Sequence, residues 1–257
     1  MSKLKRENRP LDLQAINFMG ILKGTEYYIS KGMGKAIMDY KMLSPGDKIA
    51  VAVSGGKDSL TLLRLLIDRK KFVPIKYDVV AIHIDMGYPK SISAKLARYF
   101  KQLNIEYKII KSDILKKTPK SKINCFWCSW NRRKELFIAA NKLGCTKIAL
   151  GHHMDDIAET FLLNLFFQGE ISTMKPKQEL FEGKITLIRP LAYIEECLIK
   201  RFVKEVKLGH DSCVCPHSVI SNRNRMGRII QDLEKTCPDI KKNIFRSLKR
   251  VKKDYLL

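Results

Sequence analysis

Six residues, Ser-Gly-Gly-Lys-Asp-Ser at positions 54–59, have the composition of a loop that binds phosphate. The two glycines let backbone N–H groups approach an anion closely, and a helix that begins after them adds the positive end of its dipole. The loop is not of the Walker A type, because Asp58 and not serine or threonine follows Lys57. A carboxylate repels phosphate unless it accepts hydrogen bonds from N–H groups or binds Mg²⁺. The pattern therefore predicts a nucleotide site in which the aspartate has one of those two roles.

Cysteines are the second group of residues that could carry chemistry. The chain has seven, an odd number, and no apolar secretion signal at its N-terminus, so a disulfide framework is not expected. Three are expected to be packing residues: Cys145, Cys197 and Cys237. The other four form two close pairs: Cys125 with Cys128, and Cys213 with Cys215. A Cys-x-x-Cys spacing suits a redox dithiol, half of a zinc site or part of an iron–sulfur site, and the residues alone leave these open.

The composition is strongly basic. Forty-nine Lys and Arg against 26 Asp and Glu give a formal net charge of +23 and a pI near 9.8. Such a surface binds polyanions by displacing counterions from phosphates. The chain has no run of about 18 apolar residues, so no membrane span is predicted and nucleic acid is the favoured partner. The missing signal core predicts a cytoplasmic protein.

The elements that must position these residues alternate along the chain. Short apolar strands are predicted at 48–53, 77–85, 105–111, 146–151 and 184–191, with amphipathic helices between them. Helices are also predicted at 32–43 and at 132–144, the second closed by a left-handed Gly144. This alternation predicts an α/β fold with a doubly wound parallel sheet covered on both faces. Ligands bind such sheets at the carboxyl ends of the strands, so the 54–59 loop, the His-Ile-Asp string and the Gly-His-His-Met-Asp-Asp string should share one rim.

Three regions follow from the change in pattern along the chain. Residues 1–44 are a basic helical region, and 45–212 are the sheet domain with the Cys-x-x-Cys insertion. Residues 213–257 form a basic helical segment with two helices joined across Pro238. Its cations are expected to bind the phosphates of the nucleic-acid partner: Arg223, Arg225, Arg228, Lys241, Lys242, Arg246, Lys249 and Arg250.

The 54–59 string is similar to the signature of the PP-loop, or N-type, ATP pyrophosphatase superfamily, whose fold is called adenine nucleotide alpha hydrolase-like. From Gly34 to about Leu208 the chain resembles the tRNA 2-thiocytidine synthetase (TtcA) family in the strings CFWCSWNRR, TKIALGHH, DDIAETFLLNLFF and IRPLAY. The related tRNA 2-thiouridine synthetases (TtuA) share the same core. That branch fits less well, because it carries cysteine-rich zinc modules and the first 124 residues here contain no cysteine.

The resemblance implies ATP and Mg²⁺ as cofactors. It assigns these residues to the nucleotide: Ala52, Val53, Ser54, Gly55, Gly56, Lys57, Asp58, Ser59, His83, Gly151 and Asp156. Asp155 or Asp156 would help to hold Mg²⁺, and Asp58 and Asp155 are expected to be catalytic. Arg132, four residues after Cys128, falls where the family has a basic residue near the reacting base.

The resemblance also implies a [4Fe–4S] cluster on three thiolates, those of Cys125, Cys128 and one distant cysteine. The Cys-Pro-His string makes Cys215 the expected third ligand, although the Cys-Val-Cys spacing departs from the family's second Cys-x-x-Cys and keeps Cys213 as a rival. Three ligands leave one iron open to carry sulfide. A zinc site would use four thiolates and have no such vacancy.

The implied function is an ATP-dependent tRNA thiolase that adenylates the C2 oxygen of a tRNA pyrimidine, foremost a cytidine of the anticodon loop, and replaces it with sulfur. The partners are tRNA and a sulfur donor, either a cysteine desulfurase or free sulfide, and a homodimer would suit so large a polyanion. The alternatives are a cysteine persulfide without a cluster, a 2-thiouridine synthetase, and amidation or lysidine-type chemistry, which needs no cysteine. From another class, the alternative is a zinc-structured RNA-binding protein without catalysis.

Overall fold

A computed structural model describes residues 24–87, 92–112, 125–210 and 222–255 of the chain. Its helices and strands are, in chain order, α1 (Thr25–Asp39), β1 (Asp47–Ala52), α2 (Lys57–Arg69), β2 (Tyr77–Asp85), α3 (Ser93–Gln102), β3 (Glu106–Lys111), α4 (Cys125–Lys142), β4 (Lys147–Ala149), α5 (Met154–Gln168), β5 (Lys177–Leu180), β6 (Ile185–Ile188), α6 (Glu196–Glu205), α7 (Asn222–Glu234) and α8 (Ile240–Ser247). A 3₁₀ turn follows at Lys253–Tyr255. None of the helices in these ranges has the length and apolarity needed to cross a bilayer.

The strands form one six-stranded sheet in the order β3-β2-β1-β4-β6-β5. All neighbouring pairs are parallel except β5 and β6, which are antiparallel. The predicted doubly wound parallel sheet is therefore confirmed in its five parallel strands. The edge strand β5 was not predicted, because Lys-Gln-Glu-Leu has no apolar alternation and owes its conformation to pairing with β6.

Helices cover both faces of this sheet. Alternate residues of β1 point to opposite sides, so Ile49 and Val51 join one buried cluster and Ala50 joins another. The first cluster is completed by α1, α2, α3 and α6, and the second by α4. Both faces of the sheet are therefore buried from solvent, as the uninterrupted apolar strands indicate.

The chain order places a crevice between β1 and β4. From β1 the chain moves outward through β2 to β3, and it then returns across the other face, by way of α4, to place β4 on the opposite side of β1. Connections that leave β1 and β4 therefore diverge at their carboxyl ends, which opens a cleft for ligands. The 54–59 loop follows β1 and the 151–156 string follows β4, so the predicted motifs lie on the two sides of this cleft.

Two helices differ from their predicted extents. α4 begins at Cys125, whereas the sequence indicated a helix from Arg132, because cysteine and aromatic residues are weak helix formers on their own. Its C-terminal end follows the prediction, with Gly144 left-handed at φ 69°. α1 begins at Thr25 and buries Ile29 and Met33 in the first cluster, so it packs as part of the sheet domain.

The two basic helices predicted around Pro238 are present as α7 and α8, and both pack on α5. Met226 and Ile230 of α7 are buried against Ala158 and Leu162 of α5. Phe245 of α8 packs in a neighbouring buried cluster that also contains α5 residues. The C-terminal segment thus covers α5, the helix that begins at the second motif.

This packing makes a direct prediction for two adjacent isoleucines of α7. Ile230 is 2% exposed and Ile229 is 37% exposed. Ile230→Ala should lower the free energy of unfolding by about 2–4 kcal/mol because it leaves a cavity. Ile229→Ala should cost less than about 1 kcal/mol, since a partly exposed side chain loses little burial. Urea unfolding of both variants measures the difference, and equal losses would contradict the packing of α7 on α5.

Candidate active site

The 54–59 loop forms a closed turn at the N-terminus of α2. Gly55 has φ 90°, and a Cβ there would lie 2.0 Å from Cδ1 of Ile92. The hydroxyl of Ser59 donates to the carbonyl of Gly56 at 2.9 Å and accepts from the N–H of Ser54 at 3.2 Å. The loop is thus held in shape by its own two serines, and the first N–H groups of α2 are directed at its mouth, as an anion site requires.

Lys57, the first residue of α2, is already paired. Its Nζ lies 2.8 Å from Oε1 of Glu196 and 3.2 Å from Oδ2 of Asp58. Burial disfavours the ammonium charge, but the hydrogen bonds and charges of the two carboxylates outweigh it, so the pKa of Lys57 lies above its ordinary value. Lys57 is therefore a fixed cation at the loop, held in place by two carboxylates.

Gly151 brings the second motif against the loop. A Cβ at Gly151 would lie 3.0 Å from the carbonyl carbon of Asp58 and from the nitrogen of Ser59. This backbone-to-backbone contact requires glycine, since any side chain would push the two loops apart. The resemblance implied that Gly151 passes close to the nucleotide, and the structure puts it directly against the loop.

His153 lies among three carboxylates. Its Nε2 is 3.7 Å from Asp58 and 3.4 Å from Asp156, and its Nδ1 is 3.6 Å from Asp155. Burial alone would lower the pKa of His153, but the three nearby carboxylates outweigh it and raise the pKa. The Oδ1 atom of Asp58 is buried without a hydrogen-bond partner. A carboxylate oxygen left in this state, beside a second carboxylate, suits a bound cation.

Both oxygens of Asp155 are engaged by the protein. Oδ2 accepts from the N–H of Glu196 at 2.8 Å, and Oδ1 is 2.8 Å from Nζ of Lys241 in α8. Burial would raise the pKa of Asp155, but the nearby His153 ring, the Lys241 ammonium and the Glu196 N–H outweigh it and hold the pKa well below its ordinary value. Lys241 also pairs with Glu234 at 2.8 Å and has a side chain only 12% exposed. The expectation that Lys241 binds tRNA phosphate is therefore wrong, because its charge is neutralised inside the protein.

Asp156 and α7 meet at the same end of α5. Asp156 accepts from the N–H of His153 at 3.0 Å, which caps the helix. Arg223 of α7 lies 3.9 Å from Asp156 and donates to the hydroxyl of Thr160 at 2.8 Å. Burial raises the pKa of the neighbouring Glu159 to about 7. The C-terminal segment thus supplies cations to the acidic side of the cleft.

The thiol helix α4 packs against β2. Cys128 lies in its first turn and is 7% exposed, and Nε of Arg132, one turn later, is buried without a partner. Burial lowers the pKa of His83 on β2, and the charge of Arg132 lowers it further. Nδ1 of His83 is 2.7 Å from the carbonyl of Val53, so it carries the proton that the carbonyl accepts. His83 therefore connects β2, on which the thiol helix packs, to the residue that precedes the loop.

The side chains at the site can be compared with the ligands that Mg²⁺ and an iron–sulfur cluster require. In the ranges that the structure describes, no three His, Cys, Asp or Glu side chains are grouped to hold a metal ion. Mg²⁺ bound with a nucleotide takes one or two carboxylates and phosphate oxygens, which fits Asp58 with Asp156. For a cluster, Cys125 is the first residue of α4 and precedes Cys128 by three positions. Cys215 and its rival Cys213 lie outside the described residues.

The structure brings together the residues predicted for the nucleotide. Ala52 ends β1, Val53 continues it by donating to Ile82 at 2.8 Å, and the loop, His83 and Gly151 follow on one rim. Sequence reasoning missed Glu196, and it did not anticipate Arg189, a buried residue within the IRPLAY string. It was also wrong about Cys197, which is exposed, whereas Cys145 is buried as expected.

The chain resembles proteins of known family over most of its length. The model of the PP-loop domain matches residues 29–231. A tRNA-cytidine(32) 2-sulfurtransferase of Geobacter sulfurreducens is 40% identical over 235 residues, which are 89% of this chain and 91% of that protein. The protein of the same name from Pseudomonas syringae is 37% identical over 247 residues, 93% of this chain and 90% of its own. The U34-tRNA thiolase NcsA of Methanococcus maripaludis, solved with its [4Fe-4S] cluster, superposes with a TM-score of 0.74 at 26% identity over 88% of this chain and 79% of NcsA.

Gly55 and Gly46 test the loop as a matched pair. Both have positive φ, 90° and 82°, but a Cβ at Gly46 would meet nothing within 4 Å. Each alanine variant should lose about 1 kcal/mol of stability from the left-handed backbone. Gly55→Ala should also displace Ile92 or the loop and weaken ATP binding by about tenfold or more. Isothermal titration with ATP measures this, and equal ATP affinity in the two variants would count against the loop as the phosphate site.

Asp155 gives a prediction with a defined pH dependence. Asp155→Asn should lower the free energy of unfolding by about 3 kcal/mol at pH 7, because it leaves Lys241 and His153 without their buried carboxylate. The folded pKa lies below the ordinary value of 3.8, so the contribution is complete above pH 3.8 and is lost as the pH falls through the folded pKa.

The exposed pair of Asp232 and Lys235, 2.7 Å apart with side chains 76% and 75% exposed, supplies the control. Asp232→Asn should cost less than about 1 kcal/mol at any pH. Urea unfolding at pH 7 and pH 3 compares the variants. A cost for Asp155→Asn no larger than that for Asp232→Asn would refute the buried contact.

Proposed function

The chain belongs to the PP-loop family and, within it, to the tRNA-cytidine(32) 2-sulfurtransferases, and on that basis we propose that it uses ATP to replace an oxygen of a tRNA base with sulfur. One observation carries the proposal: the thiol helix packs on β2, the strand whose His83 contacts the residue before the nucleotide loop. Leu136 of that helix lies in one buried cluster with Ile82 and Ile84 of β2, and His83 between them donates to the residue preceding the loop. Activation by ATP and delivery of sulfur need such a shared site, because the activated base must not leave between them.

In the first half-reaction the base is adenylated. The C2 oxygen of the cytidine attacks the α-phosphorus of ATP, the bond from that phosphorus to the bridging oxygen breaks, and pyrophosphate leaves with the electron pair. The loop N–H groups and Lys57 bind the phosphates, and Glu196 gives up part of its contact with Lys57 to them. Asp58 and Asp156 would hold Mg²⁺ against the leaving pyrophosphate.

In the second half-reaction sulfur bonds to C2, the C2–O bond breaks, and AMP leaves with the former base oxygen. Cys125, Cys128 and Cys215 would hold a [4Fe–4S] cluster, which when bound supplies an iron that no cysteine occupies and that takes a sulfur ligand. NcsA, with its [4Fe-4S] cluster, supports this assignment through the common fold and 26% identity. Arg132 offers a buried, unpartnered N–H to the base or to the departing phosphate. The sulfur itself comes from a cysteine desulfurase or from free sulfide.

The tRNA would lie on a basic surface of the C-terminal helices. Arg225, Arg228, Arg246 and Arg250 are exposed there and have no carboxylate within salt-bridge distance among the described residues. These cations reach phosphates without first breaking internal pairs, unlike Lys241. A homodimer would extend this surface along a tRNA.

Replacement of Cys128 tests the proposal. Cys128→Ser should abolish 2-thiocytidine in tRNA while the affinity for ATP changes less than twofold, because the loop is intact. Cys197→Ser is the control, since Cys197 is exposed on α6 and should be dispensable. Mass spectrometry of tRNA nucleosides from a deletion strain carrying each variant measures the product. 2-Thiocytidine at wild-type level in the Cys128→Ser strain would refute the proposal. 2-Thiouridine as the product would show that the modified base is a uridine.

Metal analysis separates the routes for sulfur. Anaerobically purified protein should be brown and contain about four irons per chain, as a [4Fe–4S] cluster requires. Active protein without metal would favour a cysteine persulfide on Cys125 or Cys128. Inactive protein with zinc on four thiolates would favour an RNA-binding protein without catalysis.

A further inference from the structure

A buried arginine with no carboxylate partner lies at the carboxyl end of β6. Arg189 is 5% exposed. Its Nη1 donates to the carbonyl of Lys175, and its Nε donates to Nδ1 of His152 at 3.3 Å. No carboxylate of the described residues lies within salt-bridge distance of it. Since buried charges are normally paired, this guanidinium lacks the anion that its burial calls for.

The charges around Arg189 do not supply that anion. Burial and the nearby cation of Arg133 lower the pKa of Arg189 to about 10, and the more distant Asp156 opposes them weakly. Arg189 is still a cation at neutral pH. Its burial therefore calls for an anion, which the neighbouring cation of Arg133 does not supply.

His152 completes a set of donors. Because Nδ1 accepts from Arg189, the proton of the neutral ring is on Nε2. Burial lowers the pKa of His152 to about 4. The charges of Arg189 and Arg223 act in the same direction and that of Asp156 opposes them, so the ring is neutral at pH 7. The pair thus presents N–H groups of Arg189 and His152 and no acceptor, which suits an oxyanion.

The pair lies beside the nucleotide loop. His152 follows Gly151, whose backbone packs on Asp58 and Ser59 of the nucleotide loop. An anion bound at Arg189 and His152 would therefore lie beside the nucleotide loop.

We propose that Arg189 and His152 form a phosphate-binding subsite that holds the phosphate next to the reacting base, and this rests on the function proposed above. The phosphate is either the α-phosphate of ATP, which becomes the AMP attached to the base, or a backbone phosphate of the tRNA beside the target nucleotide. In both cases a fixed cation and a neutral N–H donor neutralise charge where the activated base must stay until sulfur arrives.

Arg69 supplies a matched control. It is also mostly buried, donates to the carbonyl of Ser30 at 3.4 Å and has no carboxylate partner among the described residues. Its guanidinium lies 5.7 Å from the ring centroid of Phe72, a contact that meets part of its charge within the protein. Arg69 lies at the far end of α2 from the loop, so its loss should affect stability alone.

The test compares Arg189→Met and Arg189→Lys with Arg69→Met. Arg189→Met should slow tRNA-dependent release of pyrophosphate about 100-fold, as loss of one oxyanion donor does, and Arg189→Lys should recover part of this rate. An α-phosphate source predicts weaker binding of ATP and AMP with unchanged tRNA affinity. A tRNA source predicts weaker tRNA binding with a salt slope reduced by about one and unchanged ATP affinity.

The subsite is refuted if Arg189→Met matches Arg69→Met within twofold in ATP affinity, tRNA affinity and pyrophosphate release. Should Arg189→Met fail to fold, Arg189→Lys and His152→Ala decide by the same three measurements. These readouts do not depend on sulfur, so they separate the two proposals. Loss of phosphate binding in a protein that makes no thiolated base would keep the subsite and reject the thiolase.

Discussion

The buried carboxylate of Asp155 joins parts of the chain that are far apart in sequence. It accepts from the N–H of Glu196, where α6 begins, and it pairs with Lys241 of α8. The side chain of Glu196 in turn holds Lys57 at the nucleotide loop. The position of the loop lysine and the docking of the C-terminal helices therefore depend on one residue of α5. Because all these groups are largely buried, each contact is strong only while the others are in place.

The cleft balances most of its charges internally, but one carboxylate oxygen lacks a hydrogen bond and one guanidinium lacks a carboxylate among the described residues. Lys57 pairs with Glu196, and Lys241 pairs with Asp155. On one side, Oδ1 of Asp58 is buried without a hydrogen bond. On the other, the guanidinium of Arg189 is buried without a carboxylate among the described residues. A nucleotide bound with a divalent cation carries both kinds of charge, so such a ligand would satisfy the two groups at once.

Much of the fold and part of the site follow from local sequence. The apolar strands, the amphipathic helices and the left-handed Gly144 each depend on residues close in the chain, which is why short-range pattern predicts them. The glycine loop after β1 is local in the same sense. The interpretation that the loop binds ATP for a sulfur transfer came from the accompanying Cys-x-x-Cys string and the resemblance to a family. The edge strand β5 was missed because its conformation comes from its neighbour.

The pairing of charges was decided only in three dimensions. Lys241 and Arg225 are both cations and lie in the same basic segment, yet one is buried against Asp155 and the other is exposed. Nothing local distinguishes Arg189 from an ordinary strand-end arginine until β4 places His152 beside it. Short-range sequence pattern therefore predicted the sheet and the types of residue at the site. Which charges pair with each other could be seen only in the packed fold. The physical reason is that the energy of a charge depends on its surroundings, and those surroundings come from distant segments.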